Sequence, residues 1–256
     1  MSRFEKVVGA AAGRAGLTIT RSSTLANQLP PEATDADRRI IDAVRPYTMT
    51  SAQRVWTLLK AVEYVVSHDL PGAFAECGVW RGGSVMAMAL GLKRLGVKDR
   101  TIWLYDTFAG MTTPTEKDIE ATTGESASHL METTEVGDGN NVWAFASKQD
   151  VTSNLTLTGY PLEHLRLVEG DVSQTLKFDV PDSVSLLRLD TDWYESTRSS
   201  LEVLYPRLTT GGVCILDDYG HWQGARDAVD EYFAAQSRRP LMMPIDFGGR
   251  IFIKAD

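Results

Sequence analysis

The chain has 256 residues, of which 43% are hydrophobic and 23% are charged, a balance typical of globular rather than disordered or fibrous proteins. This length suits one large α/β domain with extensions, and no second full domain is expected. The net charge of −8 argues against a nucleic acid as partner, because binding to phosphates depends on clustered lysine and arginine.

The cysteines and the apolar segments indicate the compartment. Only Cys77 and Cys214 are present, and both lie in apolar stretches. Such residues are expected to be small buried hydrophobic side chains in a reducing compartment, rather than disulfide partners or metal ligands. No stretch approaches ~18 consecutive apolar residues, and the N-terminus lacks a long apolar signal region. We therefore expect a cytoplasmic protein with no membrane partner.

The N-terminal part is expected to be helical after a variable lead-in. Residues 1 to about 30 are rich in alanine, glycine and serine and end at a Leu-Pro-Pro run. They form either a loosely ordered tail or an arm that packs on a partner subunit. Helical patterns follow over 35–44 and, after Pro46, from near Ser51.

From residue 73, strand and helix patterns alternate, which is typical of a parallel sheet with right-handed crossovers. Strands are predicted over 73–77, 102–106, 165–170, 185–190 and 213–217. Helices are predicted over 84–95, 153–159, 195–208 and 225–235, with Gly211 and Gly212 closing the third. The segments 241–245 and 250–254 predict an antiparallel hairpin at the end of the sheet.

Residues 110–150 interrupt this alternation with a stretch rich in threonine, glycine and acids. The charges alone favour a solvated face. A loop of this length inside a compact domain is usually functional or disordered, and this one follows the end of a strand. We interpret the segment as a lid over a site.

Four aspartates follow two of the predicted buried strands: Asp190 and Asp192 in LRLDTDW, and Asp217 and Asp218 in CILDDYG. Because the carboxyl ends of parallel strands meet at one edge of a sheet, these side chains should converge. Like charges this close are costly unless a cation or a proton holds them together. The pattern predicts a divalent metal site, and its oxygen ligands suit a hard cation rather than zinc.

The first strand leads through a glycine-rich turn, Glu76 to Ser84, into a helix. The spacing is not that of the dinucleotide fingerprint G-x-G-x-x-G, which disfavours a NAD(P)-dependent oxidoreductase. A carboxylate before the turn can hold an ammonium group, and the helix N-terminus with a serine can hold a carboxylate. S-adenosylmethionine carries both groups on its methionine end, although a tight structural turn would also need glycine.

Two further acids follow neighbouring strands. Asp106 ends the second strand, at an offset from the glycine turn at which an acid can reach a ribose diol. Asp171 follows the third strand, where its carboxylate either meets an adenine amino group or caps the next turn. Both positions extend the predicted cofactor site along the same edge of the sheet.

Together with YTMT at 47–50, five segments form a specific combination over roughly residues 47–233: AFAECGVWRGGS, YDTFAGM, VEGDVSQTL, LRLDTDWYESTRSSLEVLYPRLTTGGVCILDDYG and GARDAVDEYF. Together they resemble the macrocin O-methyltransferase family, metal-dependent enzymes that methylate sugar hydroxyls on natural products. The resemblance implies an α/β, Rossmann-like class I methyltransferase fold dependent on S-adenosylmethionine. The methyltransferase domain would occupy 46–256, behind an N-terminal arm and helical extension at 1–45. Residues 1–40 and 110–150 carry no match.

The resemblance also implies roles for individual residues. The metal ligands would be Asp190, Asp217 and Asp218, with Asp192 as the general base. The ion would be Mg²⁺, with Ca²⁺ and Mn²⁺ as alternatives. Residues at the implied S-adenosylmethionine site are Met49, Glu76, Gly78, Val79, Trp80, Arg81, Gly82, Ser84, Asp106, Asp171 and Val172. Met49 belongs to YTMT, a segment expected to cover the cofactor.

The expected substrate is a hydroxyl of a sugar, such as a deoxysugar, in a small-molecule glycoside, and a homo-oligomer is expected. A catechol-type O-methyltransferase and a non-catalytic S-adenosylmethionine-binding module remain alternatives, and the long 110–150 segment favours the glycoside. His129 and His221 are expected to be a solvated lid residue and a turn residue rather than bases. Trp193 and Tyr194 either stack on a sugar or pack beneath the site.

Overall fold

The computed structural model describes residues 29–134 and 143–255, which are organised around one seven-stranded sheet. Its strands are β1 (Ala73–Cys77), β2 (Ile102–Asp106), β3 (Leu165–Glu169), β4 (Val184–Leu189), β5 (Leu208–Leu216), β6 (Met243–Pro244) and β7 (Arg250–Ile253). Their order is β3-β2-β1-β4-β5-β7-β6. The first five are parallel, whereas β7 runs antiparallel to both β5 and β6. The predicted α/β fold with an antiparallel C-terminal hairpin is confirmed.

Helices cover both faces of this sheet. They are α1 (Asp35–Val44), α2 (Ala52–Ser67), α3 (Gly83–Arg94), α4 (Ala127–Thr133), α5 (Lys148–Thr156), α6 (Val172–Thr175), α7 (Tyr194–Leu204) and α8 (Gln223–Ala234), with 3-10 turns at Arg45–Tyr47 and Leu162–His164. Successive strand residues point to opposite faces, so Phe74 packs with α1, α2 and α3 whereas Ala75 packs with α7 and α8. Both cysteines are free and buried, as expected.

Helix α1 is attached to the domain by a buried carboxylate. Thr34 and Asp37 form a capping box at the start of the helix, in which each side chain accepts the backbone N–H of the other residue. Asp37 is 0% exposed and forms ion pairs with Arg94 of α3, at 2.7 Å, and Lys60 of α2, at 3.1 Å. Residues 35–44 are therefore packed on the sheet's helical layer. The predicted arm at 1–28 lies outside the described residues.

Two predicted helices have different bounds in the structure. Helix α7 ends at Leu204 rather than 208, because Pro206 cannot continue a helix. Gly211 and Gly212 therefore do not close that helix but lie in β5, where Gly211 adopts φ 80°. Helix α5 begins at Lys148 rather than 153, since Ser147 caps it by accepting the Asp150 N–H at 3.1 Å.

The described part of the 110–150 segment has structure of its own. It contains α4, and Ile119 and Ser126 form an antiparallel bridge just before that helix. A second bridge joins Glu120 to Trp222, which follows the end of β5. Among residues 29–134 and 143–255, none of the helices has the length and apolar character needed to cross a membrane.

The sheet order places the predicted acids side by side. Strands β1 and β4 are neighbours at the point where the chain order reverses, which is where parallel α/β sheets bind ligands. The ladder continues one residue beyond the strands: Asp190 N–H donates to Cys77 O at 2.9 Å, and Asp217 N–H donates to Leu189 O at 2.8 Å. The backbones of Asp190 and Asp217 therefore lie at adjacent positions on the carboxyl edge of the sheet.

The buried Asp37 predicts a pH-dependent stability. Although burial raises its pKa, hydrogen bonds from Arg94, Thr34 and Lys60 outweigh burial and hold the pKa well below its usual range. We expect Asp37→Asn to lower the free energy of unfolding at neutral pH by about 1–3 kcal/mol, the scale of hydrogen bonds to charged groups.

Because the folded pKa of Asp37 is depressed, its stabilisation is present above the unfolded pKa of about 3.9 and is lost as pH falls below it. The difference between wild type and Asp37→Asn in urea unfolding should thus narrow in acid. Asp42→Asn, an exposed acid on the same helix, serves as the control. A difference that stays constant with pH would contradict this account.

Candidate active site

An open cleft of about 1120 Å³ lies at the carboxyl edge of the sheet. The ends of β1, β2, β4 and β5 form its floor, and residues 47–50 and 110–112 line its sides. The predicted site residues that line it are Met49, Glu76, Gly78, Val79, Trp80, Ser84, Asp106, Asp171, Val172, Asp190, Asp192, Asp217 and Asp218. The sheet therefore brings together almost the whole predicted set.

Three carboxylates form a cluster in this cleft. Asp190, Asp217 and Asp218 each offer an oxygen, and these oxygens lie within 4.8 Å of one another. Burial, together with Asp217 and Asp218, raises the pKa of Asp190 to about 8 against the opposing effect of Arg188. Burial and the neighbouring acids also raise the pKa of Asp218. Carboxylates destabilised in this way fit a hard divalent cation, which prefers oxygen ligands.

A buried arginine on β4 lies beneath this cluster. Arg188 is 2% exposed and forms ion pairs with Asp190 Oδ2 at 2.8 Å, with Asp217 Oδ1 at 2.7 Å and with Glu76 Oε1. The contact with Asp217 Oδ1 is an ion pair whose atoms are not aligned for a hydrogen bond. One guanidinium thus joins the acid of the glycine turn to two acids of the carboxylate cluster.

A second arginine, Arg54 of α2, contacts the cluster from the side. Its Nη1 lies 2.6 Å from Asp217 Oδ2, and its Nε lies 2.7 Å from Asp246 Oδ2 on the loop between β6 and β7. Thr50 Oγ1 also donates to Asp217 Oδ2, at 3.1 Å. Although burial raises the pKa of Asp217, Arg188 and Arg54 lower it to about 2. Asp217 is therefore the acid of the cluster whose ionised form has the strongest support from neighbouring cations.

Glu76 lines the cleft, and one of its carboxylate oxygens has no hydrogen-bond partner among the described residues. The residue is 1% exposed, Oε1 pairs with Arg188, and Oε2 has no hydrogen-bond partner among the described residues. Burial raises the pKa of Glu76 to about 8, although Arg188 opposes the shift. A buried oxygen in this state is costly unless a ligand donates to it. The predicted ammonium acceptor therefore fits a ligand that donates a hydrogen bond to Oε2.

The glycine turn depends on close backbone contacts. Gly78 has φ 82°, and a Cβ built there would lie 1.7 Å from Asp190 O, so no other residue fits. A Cβ on Gly83 would lie 2.5 Å from Tyr47 O. Because glycine has no Cβ, the segment before α2 can pack on the start of α3. Ser84 is 4% exposed in the first turn of α3 and lines the cleft.

Two residues of the turn lie outside the cleft lining. Arg81 turns away from the cleft, where Nη1 donates to Pro46 O at 3.1 Å and Nε lies 3.4 Å from Asp150. Gly82 has φ 91° and ends the turn as the N-cap of α3. The side chain of Arg81 thus stabilises the turn from outside, and it does not reach the predicted cofactor site.

Asp106, which ends β2, and Asp171, which follows β3, also accept hydrogen bonds from backbone N–H groups. Asp106 Oδ2 accepts the N–H groups of Val79 and Trp80 at 2.6 and 3.0 Å, and Oδ1 accepts the Phe108 N–H at 2.8 Å. The N–H groups of Val79 and Trp80 are therefore already bonded to Asp106. Asp171 caps α6 by accepting the Ser173 N–H at 2.8 Å, which is the capping alternative expected from the sequence. It also lines the cleft.

Asp192 lies beside the cluster in an unusual backbone conformation. It has φ 59°, a left-handed value that is uncommon for a residue with a side chain, and its N–H donates to Asp218 Oδ2 at 3.0 Å. Burial and Asp190 raise its pKa to about 7, although hydrogen bonding with Asp218 and Trp222 opposes the shift. A carboxylate with a pKa near neutrality can accept a proton from a substrate.

The other weighed residues have structural surroundings. Trp193 is 2% exposed and packs edge-on against Trp222, with ring centroids 4.7 Å apart, so the packing alternative applies. His221 Nε2 lies 3.1 Å from Arg54 Nη2. Because a guanidinium can only donate, Nε2 is the unprotonated acceptor and the imidazole is neutral. Burial and Arg54 lower the pKa of His221. His129 is exposed on α4 and does not line the cleft.

Comparisons with known proteins agree with this geometry. A family model described as Macrocin-O-methyltransferase (TylF) matches residues 13–254. The demethyldecarbamoylnovobiocin O-methyltransferase of Streptomyces niveus is 34% identical over 203 residues, which cover 79% of this chain and 74% of that protein. The 8-demethyl-8-(2,3-dimethoxy-alpha-L-rhamnosyl)-tetracenomycin-C 4'-O-methyltransferase of Streptomyces olivaceus is 35% identical over 201 residues, which cover 77% and 73%.

Solved structures share the architecture. The O-methyltransferase NovP superimposes with a TM-score of 0.69 at 28% identity, covering 91% of this chain and 94% of that one. The calicheamicin methyltransferase CalS11 superimposes with a TM-score of 0.59 at 18% identity, covering 93% and 98%, and at this identity only the fold is compared. Both likenesses extend over nearly the whole chain.

The ion pairs of Arg188 predict a large effect on stability. Arg188→Met would leave the buried Glu76 and Asp217, and the half-buried Asp190, without their shared cation. Removing one partner of a buried pair costs about 3–5 kcal/mol. We expect this loss in the free energy of unfolding measured by urea denaturation. Arg198→Met, which removes an exposed arginine paired with Glu202, is the control. A loss no larger than that of the control would contradict the prediction, and adding Glu76→Gln should recover part of it.

Proposed function

The chain belongs to the macrocin-O-methyltransferase (TylF) family and is an S-adenosylmethionine-dependent O-methyltransferase; we propose that it methylates a sugar hydroxyl of a small-molecule glycoside with a divalent cation bound. The observation that carries this proposal is the position of the three-carboxylate cluster beside Glu76 in one cleft. Oxygen ligands suited to a hard cation and a carboxylate suited to an ammonium group thus lie side by side in the same cleft. A homo-oligomeric state and a cytoplasmic location stay predictions of the sequence.

The residues present fit the cofactor. The unpaired, buried Oε2 of Glu76 would accept hydrogen bonds from the ammonium group of S-adenosylmethionine. Ser84, in the first turn of α3, would bind the methionine carboxylate, where the helix N-terminus favours negative charge. Asp106 and Asp171 line the part of the cleft that follows β2 and β3, where we propose the ribose and the adenine. Met49 would cover the cofactor from the segment before α2.

The carboxylate cluster fits a metal ion. Asp190, Asp217 and Asp218 would supply oxygen ligands, which suits Mg²⁺ and also Ca²⁺ or Mn²⁺. Arg188 and Arg54 bind Asp217 through both of its oxygens and fix its orientation in the cluster. When bound, the cofactor supplies the methyl group and the ion lowers the pKa of the acceptor hydroxyl.

We assign proton removal to Asp192. Its carboxylate lies at the cleft beside the cluster, and its backbone N–H donates to Asp218 Oδ2. It would take the proton of the sugar hydroxyl as the new carbon–oxygen bond forms, and a positioned base of this kind contributes roughly 10²- to 10⁴-fold. The neutral His221 is already hydrogen-bonded to Arg54, which makes it the weaker candidate for this role.

The relatives support a sugar rather than a catechol as acceptor. The Streptomyces olivaceus relative is by name a 4'-O-methyltransferase of a rhamnosyl tetracenomycin. The part of the 110–150 segment described by the structure adds a wall to the cleft through Met111 and Thr112, as expected for a deep site. A non-catalytic cofactor-binding module would have no use for the carboxylate cluster beside the cofactor pocket.

The proposed function is tested by methyl transfer itself. Purified protein with S-adenosylmethionine and Mg²⁺ is expected to add one CH₂ unit to members of a panel of glycosylated natural products, read by mass spectrometry. Removing the ion with EDTA should stop transfer, and added Mg²⁺ should restore it. Matched aglycones with free catechol groups serve as controls. Methylation of the catechols without methylation of any glycoside would reject the sugar acceptor.

Substitutions should separate the ion from the base. We expect Asp190→Ala to abolish turnover and Mg²⁺ binding while S-adenosylmethionine affinity, measured by calorimetry, stays nearly unchanged, because the metal would meet the acceptor rather than the cofactor. Asp192→Asn should keep Mg²⁺ binding and lower kcat by roughly 10²- to 10⁴-fold. Equal loss of cofactor affinity in both variants would refute this division. A small kcat effect of Asp192→Asn would transfer the base role to another group.

A further inference from the structure

Helix α7, which follows Asp192 directly, begins without a capping side chain of its own. Its N-cap position is Trp193, which makes no side-chain hydrogen bond to the helix start. The missing acceptor comes from the 110–150 segment instead, because Asp118 Oδ1 accepts the Tyr194 N–H at 2.7 Å. A helix N-terminus favours a negative charge at this position. Asp118 thus caps a helix that begins 76 residues further along the chain.

The structure is built to hold Asp118 at this point. The residue is 0% exposed, and its Oδ2 accepts both the N–H and the hydroxyl of Thr115, at 2.6 and 2.9 Å. Gly224 provides the space, since a Cβ on it would lie 2.2 Å from Asp118 Oδ1. A buried carboxylate with every oxygen bonded has one defined orientation. Its position therefore fixes where α7 can begin.

The same segment contacts both loops that carry the carboxylates. Thr112 O accepts the indole N–H of Trp193 at 3.0 Å, which fastens the residue after Asp192. On the other loop, Gln223 N–H donates to Ile119 O at 2.9 Å, and Ala121 N–H donates to His221 O at 2.7 Å. Residues 112–121 thus connect the loop of Asp192 with the loop that follows Asp218.

Asp192 needs such support because of its backbone. A left-handed φ at a residue with a side chain is strained and persists only where the surroundings determine it. On its N-terminal side, Asp190 is held by the sheet ladder. On its C-terminal side, the fixed points are Trp193 and Tyr194, and both are bound by the 110–150 segment. The orientation of the Asp192 carboxylate depends on these contacts.

We propose that Asp118 is a positioning residue for methyl transfer, which holds Asp192 in its left-handed conformation by capping α7. This inference rests on the proposed function, in which Asp192 accepts the hydroxyl proton. Asp118 does not line the cleft, so it acts through the backbone of Tyr194 and touches neither substrate nor cofactor. In this proposal, the described part of the 110–150 segment contributes to the active site by holding the backbone that follows Asp192.

The experiment compares Asp118→Ala with Glu116→Ala, an exposed acid in the same segment. We expect Asp118→Ala to lower kcat by about 10- to 100-fold, the scale of a small misplacement of a reacting group. The KM for the acceptor and the Kd for S-adenosylmethionine should change little, and Glu116→Ala should resemble wild type. Asp118→Asn keeps one acceptor oxygen for Tyr194 and should recover part of kcat.

A second variant displaces Asp118 without removing it. Gly224→Ala pushes the carboxylate from Tyr194 and should reproduce the kcat loss, and it should add little in the Asp118→Ala background. Hydrogen exchange gives a readout independent of turnover, since the amides of 192–195 should lose protection in both variants while β1 and β4 keep theirs. This readout tests the proposal even if wild type methylates no glycoside, an outcome that would reject only the proposed function.

Two outcomes would overturn the proposal. One is unchanged protection of 192–195 in Asp118→Ala. The other is a loss of kcat in Asp118→Ala that is matched by the same loss of cofactor affinity and of protection throughout the sheet, since this would reveal a general structural role.

Discussion

The site depends on one buried cation, the guanidinium of Arg188. The parallel sheet brings Glu76, Asp190 and Asp217 to one edge, where burial makes their charges costly. Arg188 contacts all three from β4, which leads into Asp190 and lies between the strands of Glu76 and Asp217. Without that shared partner, the acids would repel one another and take up protons. The polar network under the cleft is therefore a condition for placing Glu76 next to the carboxylate cluster.

Side-chain alternation explains how one arginine meets these acids. Phe74 and Glu76 on β1, Leu186 and Arg188 on β4, and Ile215 on β5 share the sheet face covered by α1, α2 and α3. Asp190 and Asp217 continue that face just past the strand ends. Arg54 contacts Asp217 from α2 on the same side, so the helix that follows the cleft-lining residues 47–50 is attached to the carboxylate cluster as well.

Much of this arrangement could be predicted from the sequence, because apolar runs and glycine turns are local signals. They located the five parallel strands and the convergence of Asp190, Asp217 and Asp218. Arg188 was missed because it lies inside an apolar run that was interpreted as a buried strand, although its two-residue spacing from Asp190 was a usable signal. Asp118 was hidden among solvent-facing acids of its segment, since its burial depends on Gly224 and Tyr194, which are distant in sequence. The early end of α7 shows Pro206 overriding an otherwise continuous helical pattern.

The contact between Arg54 and Asp246 has a consequence for folding. These residues are 192 positions apart, and Asp246 lies on the loop between β6 and β7. Gly248 adds to the same junction, because its missing side chain leaves room for both Arg54 and His221. Contacts between residues so distant in sequence form late in folding, because the entropy cost of closing a long loop has to be offset by other contacts. The ion-pair network around Asp217 is therefore complete only once the loop between β6 and β7 has packed against α2.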